Sequence, residues 1–302
     1  MVATGSASSW MVEKIEENQG GLHARVTCKI HLKQFSLKET EEYLRSRGCK
    51  WDRYQIMQCY MVLGGVPYYL SLLDTKQSLA QNIDRLFFED KAELKNEFED
   101  LYNALFKYAE RYISIVKMLY DNNKGLTREE INRLYTYPDD NLSKIIRNLV
   151  QCDFIKETAQ YNKGEKSVLY RLADFFTIFY FKFVKDNLSG NETWWQDNML
   201  GSQVLSWCGL AFERICEGHV RQMKQALGIS GVATEISAWR KLKDAESKGA
   251  QIDLIIKRAD RTIHLCEMKF STGKYAISNS YEDGLHKSIV HSEVTMEDLF
   301  AE

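Results

Sequence analysis

Apolar residues between positions 110 and 150 recur at the helical period in three separate stretches. The first stretch is 110–120. The second begins at Thr127, which precedes Glu130 by three residues and so has the spacing of a capping box. The third is Asn141–Val150, whose apolar residues share one face of a helix. The pattern predicts three amphipathic helices in succession.

Two runs of strand-forming residues follow the third helix. They are Phe154–Thr158 and Val168–Leu172, and a polar turn that contains Gly164 joins them, which predicts a hairpin. The order helix, helix, helix, hairpin is that of a winged helix-turn-helix. In such a domain the third helix enters a major groove of DNA and the hairpin touches the backbone.

Basic side chains occupy the positions at which a winged helix would contact phosphate. Lys144 and Arg147 lie on the polar face of the third helix, and Lys163 and Lys166 lie at the hairpin tip. The acidic pair 139–140 at the start of the third helix would instead repel phosphate. Two interpretations are therefore open, a DNA-binding domain and a structural or protein-binding spacer.

Three further segments carry local signals. Arg25–Leu32 has the composition of a strand, and Ser36 with Glu39 forms a capping box that opens a helix through Arg45. The most apolar run, Phe175–Val184, is about half the length of a membrane span and contains a lysine, so we predict a buried helix.

The C-terminal third begins with a helical pattern and continues with strands. Apolar residues recur at helical spacing over Val204–Leu227. Three strand-like segments follow at Ala233–Trp239, Gln251–Ile256 and Thr262–Phe270. A tight turn at 260–261 joins the last two, so we predict that they form a hairpin.

Three charged residues interrupt the apolar strands of this predicted hairpin. Asp253 lies in the second strand, and Glu267 and Lys269 lie in the third. Two carboxylates from neighbouring strands can bind Mg²⁺ or Mn²⁺, which prefer oxygen ligands. Lys269 follows Glu267 by two residues and therefore points to the same side, where it can activate water and stabilise charge on a phosphoryl group. We predict a metal site at Asp253 and Glu267, with Lys269 as a catalytic residue.

Other polar residues near this site have weaker signals. Gln251 lies on the same strand face as Asp253 and is predicted to support it, and Glu213 on the preceding helix is a further catalytic candidate. The structural alternative makes the charged residues a turn and a solvated strand edge, but charge in an apolar strand is costly unless it serves a site. His219 and His264 fit no ligand spacing, so we predict that they are partly exposed.

Three segments resemble a known protein family. TGSASSWM at 4–11, GGLHARVTCKIHLKQFSLKE at 20–39 and LGGVPYYL at Leu63–Leu70 resemble the second half of prokaryotic AAA-type ATPases that carry a C-terminal PD-(D/E)XK nuclease-like domain. The resemblance implies that the third segment lies in a helical lid, and that a winged helix connects this lid to the nuclease-like domain. It also implies that Glu213 is the first acidic position of the nuclease motif and that Arg25 is an arginine-finger position; a surface arginine is the alternative.

The sequence departs from that family in its nucleotide-binding motifs. A phosphate-binding loop has the form GxxxxGK[ST], and the closest segment, Thr272-Gly273-Lys274, is followed by Tyr275. By the resemblance, the loop and the magnesium-binding acids lie upstream of Met1. We therefore expect that this chain does not hydrolyse ATP, and that ATP is a cofactor only of a full-length parent.

Composition narrows the class of protein. A chain of 302 residues with 44% hydrophobic residues can form two or three folded domains. The formal net charge is -2, so contact with nucleic acid must come from local basic surfaces. Seven scattered cysteines without a CxxC pair indicate reduced thiols of a cytoplasmic protein, and no membrane partner is expected.

Together these observations predict an α+β multidomain protein. The expected domains are a remnant of the ATPase core at 1–35, a helical lid at 36–105, a winged helix at 106–186 and an αβββαβ-type restriction-endonuclease-like domain at 195–302. A short helix at 281–287 and a short strand at 288–294 would complete the last domain.

The leading functional hypothesis is the C-terminal fragment of an ATP-binding ATPase, with a DNA-binding winged helix and a magnesium-dependent nuclease-like domain that hydrolyses DNA. The alternative is a non-catalytic regulatory or nucleic-acid-binding module of such an ATPase. Expected partners are DNA and either an ATPase or a second copy of the chain.

Overall fold

The computed structural model describes residues 28, 30–137, 141–164, 167–241, 250–271, 292 and 294–301. The helices in these ranges are α1 (Leu37–Ser46), α2 (Arg53–Leu63), α3 (Pro67–Ser71), α4 (Leu79–Phe87), α5 (Glu97–Leu105), α6 (Ala109–Asp121), α7 (Arg128–Leu134), α8 (Leu142–Gln151), α9 (Phe175–Phe179), a π-helix (Tyr180–Val184), α10 (Trp194–Asn198), α11 (Ser202–Gly218), α12 (Val220–Ala226) and α13 (Met296–Leu299). The strands are β1 (Ile155–Ala159), β2 (Val168–Leu172), β3 (Thr234–Lys241), β4 (Ala250–Arg258) and β5 (Ile263–Cys266). The predicted α+β class is confirmed. Among the described helices, none has both the length and the apolar character needed to cross a membrane.

The chain divides into two compact units, and each is built from two separate stretches of sequence. The first unit contains the described residues up to Gln34 and Ala80–Gln196, and the second contains Phe35–Leu79 and Asp197–Glu302. The segment 36–105, predicted to be one helical lid, therefore contributes to both units.

The first unit contains the predicted order of three helices and a hairpin. Helices α6, α7 and α8 precede β1 and β2, which pair antiparallel. Leu126, between α6 and α7, forms a further antiparallel bridge with Tyr170 of β2. The capping box at Thr127 is present, because its hydroxyl accepts from the Glu130 N–H at 3.2 Å and its own N–H donates to the Glu130 carboxylate at 2.7 Å.

Aromatic rings fill the core of the first unit. Phe98 stacks on Tyr180 with ring centroids 4.3 Å apart, and Phe106 stacks on Tyr112 at 4.0 Å. The segment Phe175–Val184 forms α9 and the π-helix and is largely buried, which confirms the predicted buried helix.

A buried carboxylate begins α9. Asp174 is 7% exposed and accepts a hydrogen bond from the Thr177 N–H at 2.7 Å, so it caps the helix. Burial raises the pKa of Asp174 above its ordinary value, and hydrogen bonds from Thr177 and Gln34 partly oppose this effect. The cap is therefore held by a group whose charged form is destabilised by its surroundings.

The second unit contains an antiparallel sheet in the order β3-β4-β5. The central strand is the most buried, since Leu254, Ile255 and Ile256 are at most 2% exposed. The predicted strands at 233–239 and 251–256 and the predicted hairpin are confirmed. The third strand was predicted to reach Phe270 and this was wrong, because β5 ends at Cys266.

The predicted helix over Val204–Leu227 is interrupted, and His219 is the cause. α11 ends at Gly218 and α12 begins at Val220, and His219 has a non-helical ψ of 31°. Its Nδ1 lies 2.8 Å from the Ile215 carbonyl and its Nε2 accepts the Leu37 N–H at 3.1 Å. His219 is 4% exposed, so the prediction that it is partly exposed was wrong, because its ring links α1 to α11.

The segment Leu63–Leu70 depends on glycine for a close backbone approach. A Cβ at Gly65 would lie 1.9 Å from the Phe35 carbonyl oxygen. The Phe35 N–H donates to the Gly65 carbonyl at 2.8 Å, and the Tyr60 hydroxyl donates to the Phe35 carbonyl at 2.9 Å. Any side chain at Gly65 would break this contact.

The predicted strand at Arg25–Leu32 is wrong for the residues of it that the structure describes. Cys28 and Ile30–Leu32 have no strand conformation, and Ile30 and Leu32 are 80% and 86% exposed. A strand needs a hydrogen-bonded neighbour, and within the described ranges none pairs with this segment.

The first prediction concerns His219. We expect His219→Phe to lower the free energy of unfolding by roughly 1–3 kcal/mol, because a somewhat larger aromatic ring fills the site while the buried Leu37 N–H loses its acceptor. Urea denaturation measures the effect. The matched control is His31→Phe, since the His31 side chain is 54% exposed. An equal change in the two variants would show that the buried contact is not stabilising.

The second prediction concerns pH. Because the folded-state pKa of Asp174 is raised, folding binds a proton here, and wild-type stability falls as pH rises through that pKa. Asparagine caps equally well without charge. We expect Asp174→Asn to be more stable than wild type at neutral pH. The difference in stability should become smaller in acid and vanish below the unfolded-state pKa. Thermal unfolding across pH checks this, and a difference that becomes larger in acid would contradict it.

Candidate functional site

The β4–β5 pairing ends one position before Asp253 and Glu267, the two predicted metal ligands. The pairing runs from Lys257 opposite Ile263 to Leu254 opposite Cys266, where it ends. The next position of the same register would place Asp253 opposite Glu267. Like charges directly opposite each other destabilise a ladder. A ladder continued past Cys266 would bring two acids opposite each other, and the pairing ends before that position.

Lys269 contacts Glu267 after the end of the strand. Its Nζ donates to Glu267 Oε1 at 2.5 Å, and the two side chains are 44% and 47% exposed. Met268 between them is 6% exposed. The alternation expected of an extended segment therefore continues past β5, and it places the carboxylate and the ammonium on one side.

Gln251 lies beside Asp253 on β4. Its Nε2 donates to Asp253 Oδ1 at 2.5 Å, and both residues are half-buried. The spacing of two residues places them on one strand face, as the sequence indicates. One oxygen of the Asp253 carboxylate is thus held in a defined direction.

Glu213 lies on α11, and the helix turn that carries it packs near the Glu267 segment. Phe212 contacts Phe270 with ring centroids 6.1 Å apart. Burial raises the pKa of Cys216 to about 12, and the charges of Glu217 and Glu213 and the thiol of Cys266 add to this effect. The structure therefore brings the Glu213 turn close to the end of β5. Glu217, one turn later, is 8% exposed and forms an ion pair with Arg214 at 3.1 Å.

An aromatic contact that the sequence did not reveal borders the site. Tyr54 of α2 stacks on Phe270 with ring centroids 5.9 Å apart and an interplanar angle of 22°. The only local signal was an aromatic residue directly after Lys269, and nothing in the spacing points to residue 54.

The predicted metal pair contains two carboxylates. Over the described ranges, no group of three or more histidine, cysteine, aspartate or glutamate side chains could hold a metal ion. Magnesium sites commonly use one or two carboxylates and take their remaining ligands from water and phosphate. The two-residue site therefore stays a prediction.

The predicted nucleic-acid contacts belong to the first unit. Lys144 and Arg147 are exposed on α8, on the side away from its buried apolar face. Lys163 is exposed and donates to Gln160 Oε1 at 3.0 Å. Lys166, Arg25 and the segment 281–287 lie outside the described residues, as does all of 288–294 except 292 and 294.

Comparison with known proteins gives a distant archaeal relative. No family model matches the sequence, and no solved structure matches it. An uncharacterized protein of Methanocaldococcus jannaschii is 23% identical over 293 residues, which are 95% of this chain and 64% of the archaeal protein. This chain thus spans less than two thirds of that protein's length.

Proposed function

We propose that the second unit is a PD-(D/E)XK-type nuclease domain that hydrolyses phosphodiester bonds of DNA with Mg²⁺ or Mn²⁺. The observation that carries the proposal is the arrangement at the end of the β4–β5 pairing. Asp253 and Glu267 lie directly beyond the last pair, Leu254 opposite Cys266, and Lys269 contacts Glu267.

The donor set fits a hard divalent cation. Asp253 and Glu267 would hold it, because carboxylate oxygens are the ligands that Mg²⁺ and Mn²⁺ prefer. Two carboxylates at neighbouring positions repel each other, and a cation between them removes that cost. When bound, such an ion polarises a phosphoryl oxygen and lowers the pKa of a bound water.

The other residues of the site have separate roles in this proposal. Lys269 stabilises the negative charge that develops on the phosphoryl oxygens and holds the attacking water. Gln251 orients the Asp253 carboxylate through its hydrogen bond. Glu213 supplies a further carboxylate from α11, to the metal or to the water.

The first unit binds DNA as a winged helix in this proposal. Support comes from α8, which buries Leu142, Ile145 and Leu149 and exposes Lys144 and Arg147. Lys163 adds an exposed cation in the hairpin connection. Since the formal net charge of the chain is -2, attraction to phosphate must come from such a local surface.

The resemblance to AAA-type ATPases extends the proposal to a longer protein. In such a protein, ATP binding belongs to an ATPase core outside this sequence, and this chain supplies the lid, winged-helix and nuclease-like parts. The archaeal relative is long enough to contain a further domain, since the match covers 64% of it.

The third prediction tests cleavage. Purified chain should cut linear, circular or single-stranded DNA in Mg²⁺ or Mn²⁺. We expect Asp253→Asn and Lys269→Met each to lower the rate by roughly a hundredfold to a thousandfold, because each removes a group that stabilises developing charge.

The matched controls lie at the other end of the same hairpin. Asp260→Asn and Lys257→Met change the same residue types at exposed positions, and we expect rates close to wild type. Equal cleavage rates for wild type, Asp253→Asn and Lys269→Met would contradict the catalytic assignment. Absence of cleavage by wild type on every DNA form would favour the non-catalytic module.

The fourth prediction tests DNA binding by α8. We expect the double variant Lys144→Ala/Arg147→Ala to bind a DNA duplex more weakly and to reduce the slope of log Kd against log salt by about two, one for each lost phosphate contact. Fluorescence anisotropy at several salt concentrations measures both. The control is Lys107→Ala/Lys117→Ala, near and on α6. The same loss in both double variants would contradict the assignment to α8.

A further inference from the structure

The first turn of α2 holds two distant parts of the second unit. Arg53 forms an ion pair with Glu297 at 2.5 Å, and its guanidinium lies 4.9 Å from the centroid of the Phe300 ring. The next residue, Tyr54, stacks on Phe270. Two adjacent residues of α2 therefore contact two separate segments. Tyr54 contacts Phe270, and Arg53 contacts Glu297 and Phe300.

Phe270 is held by aromatic rings from two helices. Tyr54 of α2 and Phe212 of α11 both contact it, at centroid distances of 5.9 and 6.1 Å. Phe270 directly follows Lys269, and Phe212 directly precedes Glu213. The contact between the two phenylalanine rings therefore fixes the backbone beside two of the predicted catalytic residues.

The segment after Cys266 has limited support from the sheet. The pairing of β5 with β4 ends at Cys266. Glu267 and Lys269 lie after this residue, and their side chains are about half exposed. Successive side chains in an extended segment point to opposite sides. Inward burial of Met268 and the contacts of Phe270 therefore determine the outward direction of Glu267 and Lys269.

We infer that Tyr54 is a positioning residue for Glu267 and Lys269, acting through its contact with Phe270. The inference rests on the proposed nuclease function for its catalytic consequence. It makes α2, which precedes the sheet by more than a hundred and fifty residues, a part of the same site. Small displacements of a catalytic group can cost on the order of a hundredfold in rate.

The test uses the full chain and two substitutions at one position. Tyr54→Leu removes the ring, while Tyr54→Phe keeps the stacking and removes only the hydroxyl. The matched control is Tyr43→Leu, because Tyr43 contacts Phe35 at a similar centroid distance of 5.8 Å in the same unit. Hydrogen–deuterium exchange of the peptide 263–271, DNA cleavage and thermal unfolding are measured for each.

We expect Tyr54→Leu to increase deuterium uptake at 267–270 and to lower kcat on the order of tenfold to a hundredfold, with KM for DNA nearly unchanged. Tyr54→Phe should resemble wild type in both measurements. Tyr43→Leu should lower the unfolding temperature by a similar amount without changing uptake at 267–270 or kcat.

The exchange measurement separates this inference from the proposed function. Unchanged uptake in Tyr54→Leu, or the same increase in Tyr43→Leu, would overturn the inference whatever the cleavage result. Increased uptake with a normal kcat would overturn the positioning role as well. If Tyr54→Leu increases deuterium uptake but wild type cleaves DNA no better than Lys269→Met, the contact is supported. The nuclease proposal is then overturned.

Discussion

One buried histidine, His219, joins the start of α1 to the end of α11 in the second unit. The first N–H groups of a helix have no partner within the helix. At α1, the capping box of Ser36 and Glu39 satisfies part of this need, and the Leu37 N–H donates to His219, 182 residues away in sequence. The other ring nitrogen lies against the Ile215 carbonyl, so the contact requires a neutral imidazole with its proton on Nδ1.

This contact joins two parts of the second unit that lie far apart in sequence. With α1 held at the junction of α11 and α12, α2 can pack on α11, and its first turn reaches Phe270 and Glu297. The helices α1 to α3 belong with the C-terminal sheet, while Ala80–Gln196 belongs with the three-helix and hairpin unit. A helix of the segment 36–105, which the sequence predicts to be a lid, thus also borders the candidate site.

Local patterns were sufficient to predict much of the secondary structure. The helices α6 and α8, the hairpin β1–β2 and the strands β3 and β4 follow from apolar periodicity and turn residues, which act over a few positions. The break at His219 does not follow from them. The apolar spacing continues through that residue, and the reason for the break is a partner in α1.

The same distinction applies to the candidate site. The side-by-side placement of Glu267 and Lys269 and the contact of Gln251 with Asp253 follow from the period of a strand. The role of Tyr54 could not be predicted, because no local pattern links it to Phe270. The early end of β5 was also missed. A strand pattern indicates which residues prefer extended backbone, and it does not give the position at which pairing with the neighbouring strand ends.

The charges at the end of the β4–β5 pairing favour a site over a plain sheet edge. A structural hairpin would gain by continuing its hydrogen bonds or by placing opposite charges across the strands. Here Asp253 and Glu267, which lie directly beyond the last pair, are both acidic. Lys269 pairs with Glu267 in the same segment, and Asp253 accepts a hydrogen bond from the Gln251 amide. Sequences break such local rules mainly where function requires it and recover stability elsewhere. In this unit the aromatic contacts of Phe270 provide that recovery, since they hold the segment where the sheet no longer does. Under the proposed function, Asp253 and Glu267 would hold a divalent cation that polarises a phosphoryl oxygen, and the ammonium of Lys269 would stabilise the negative charge on that group.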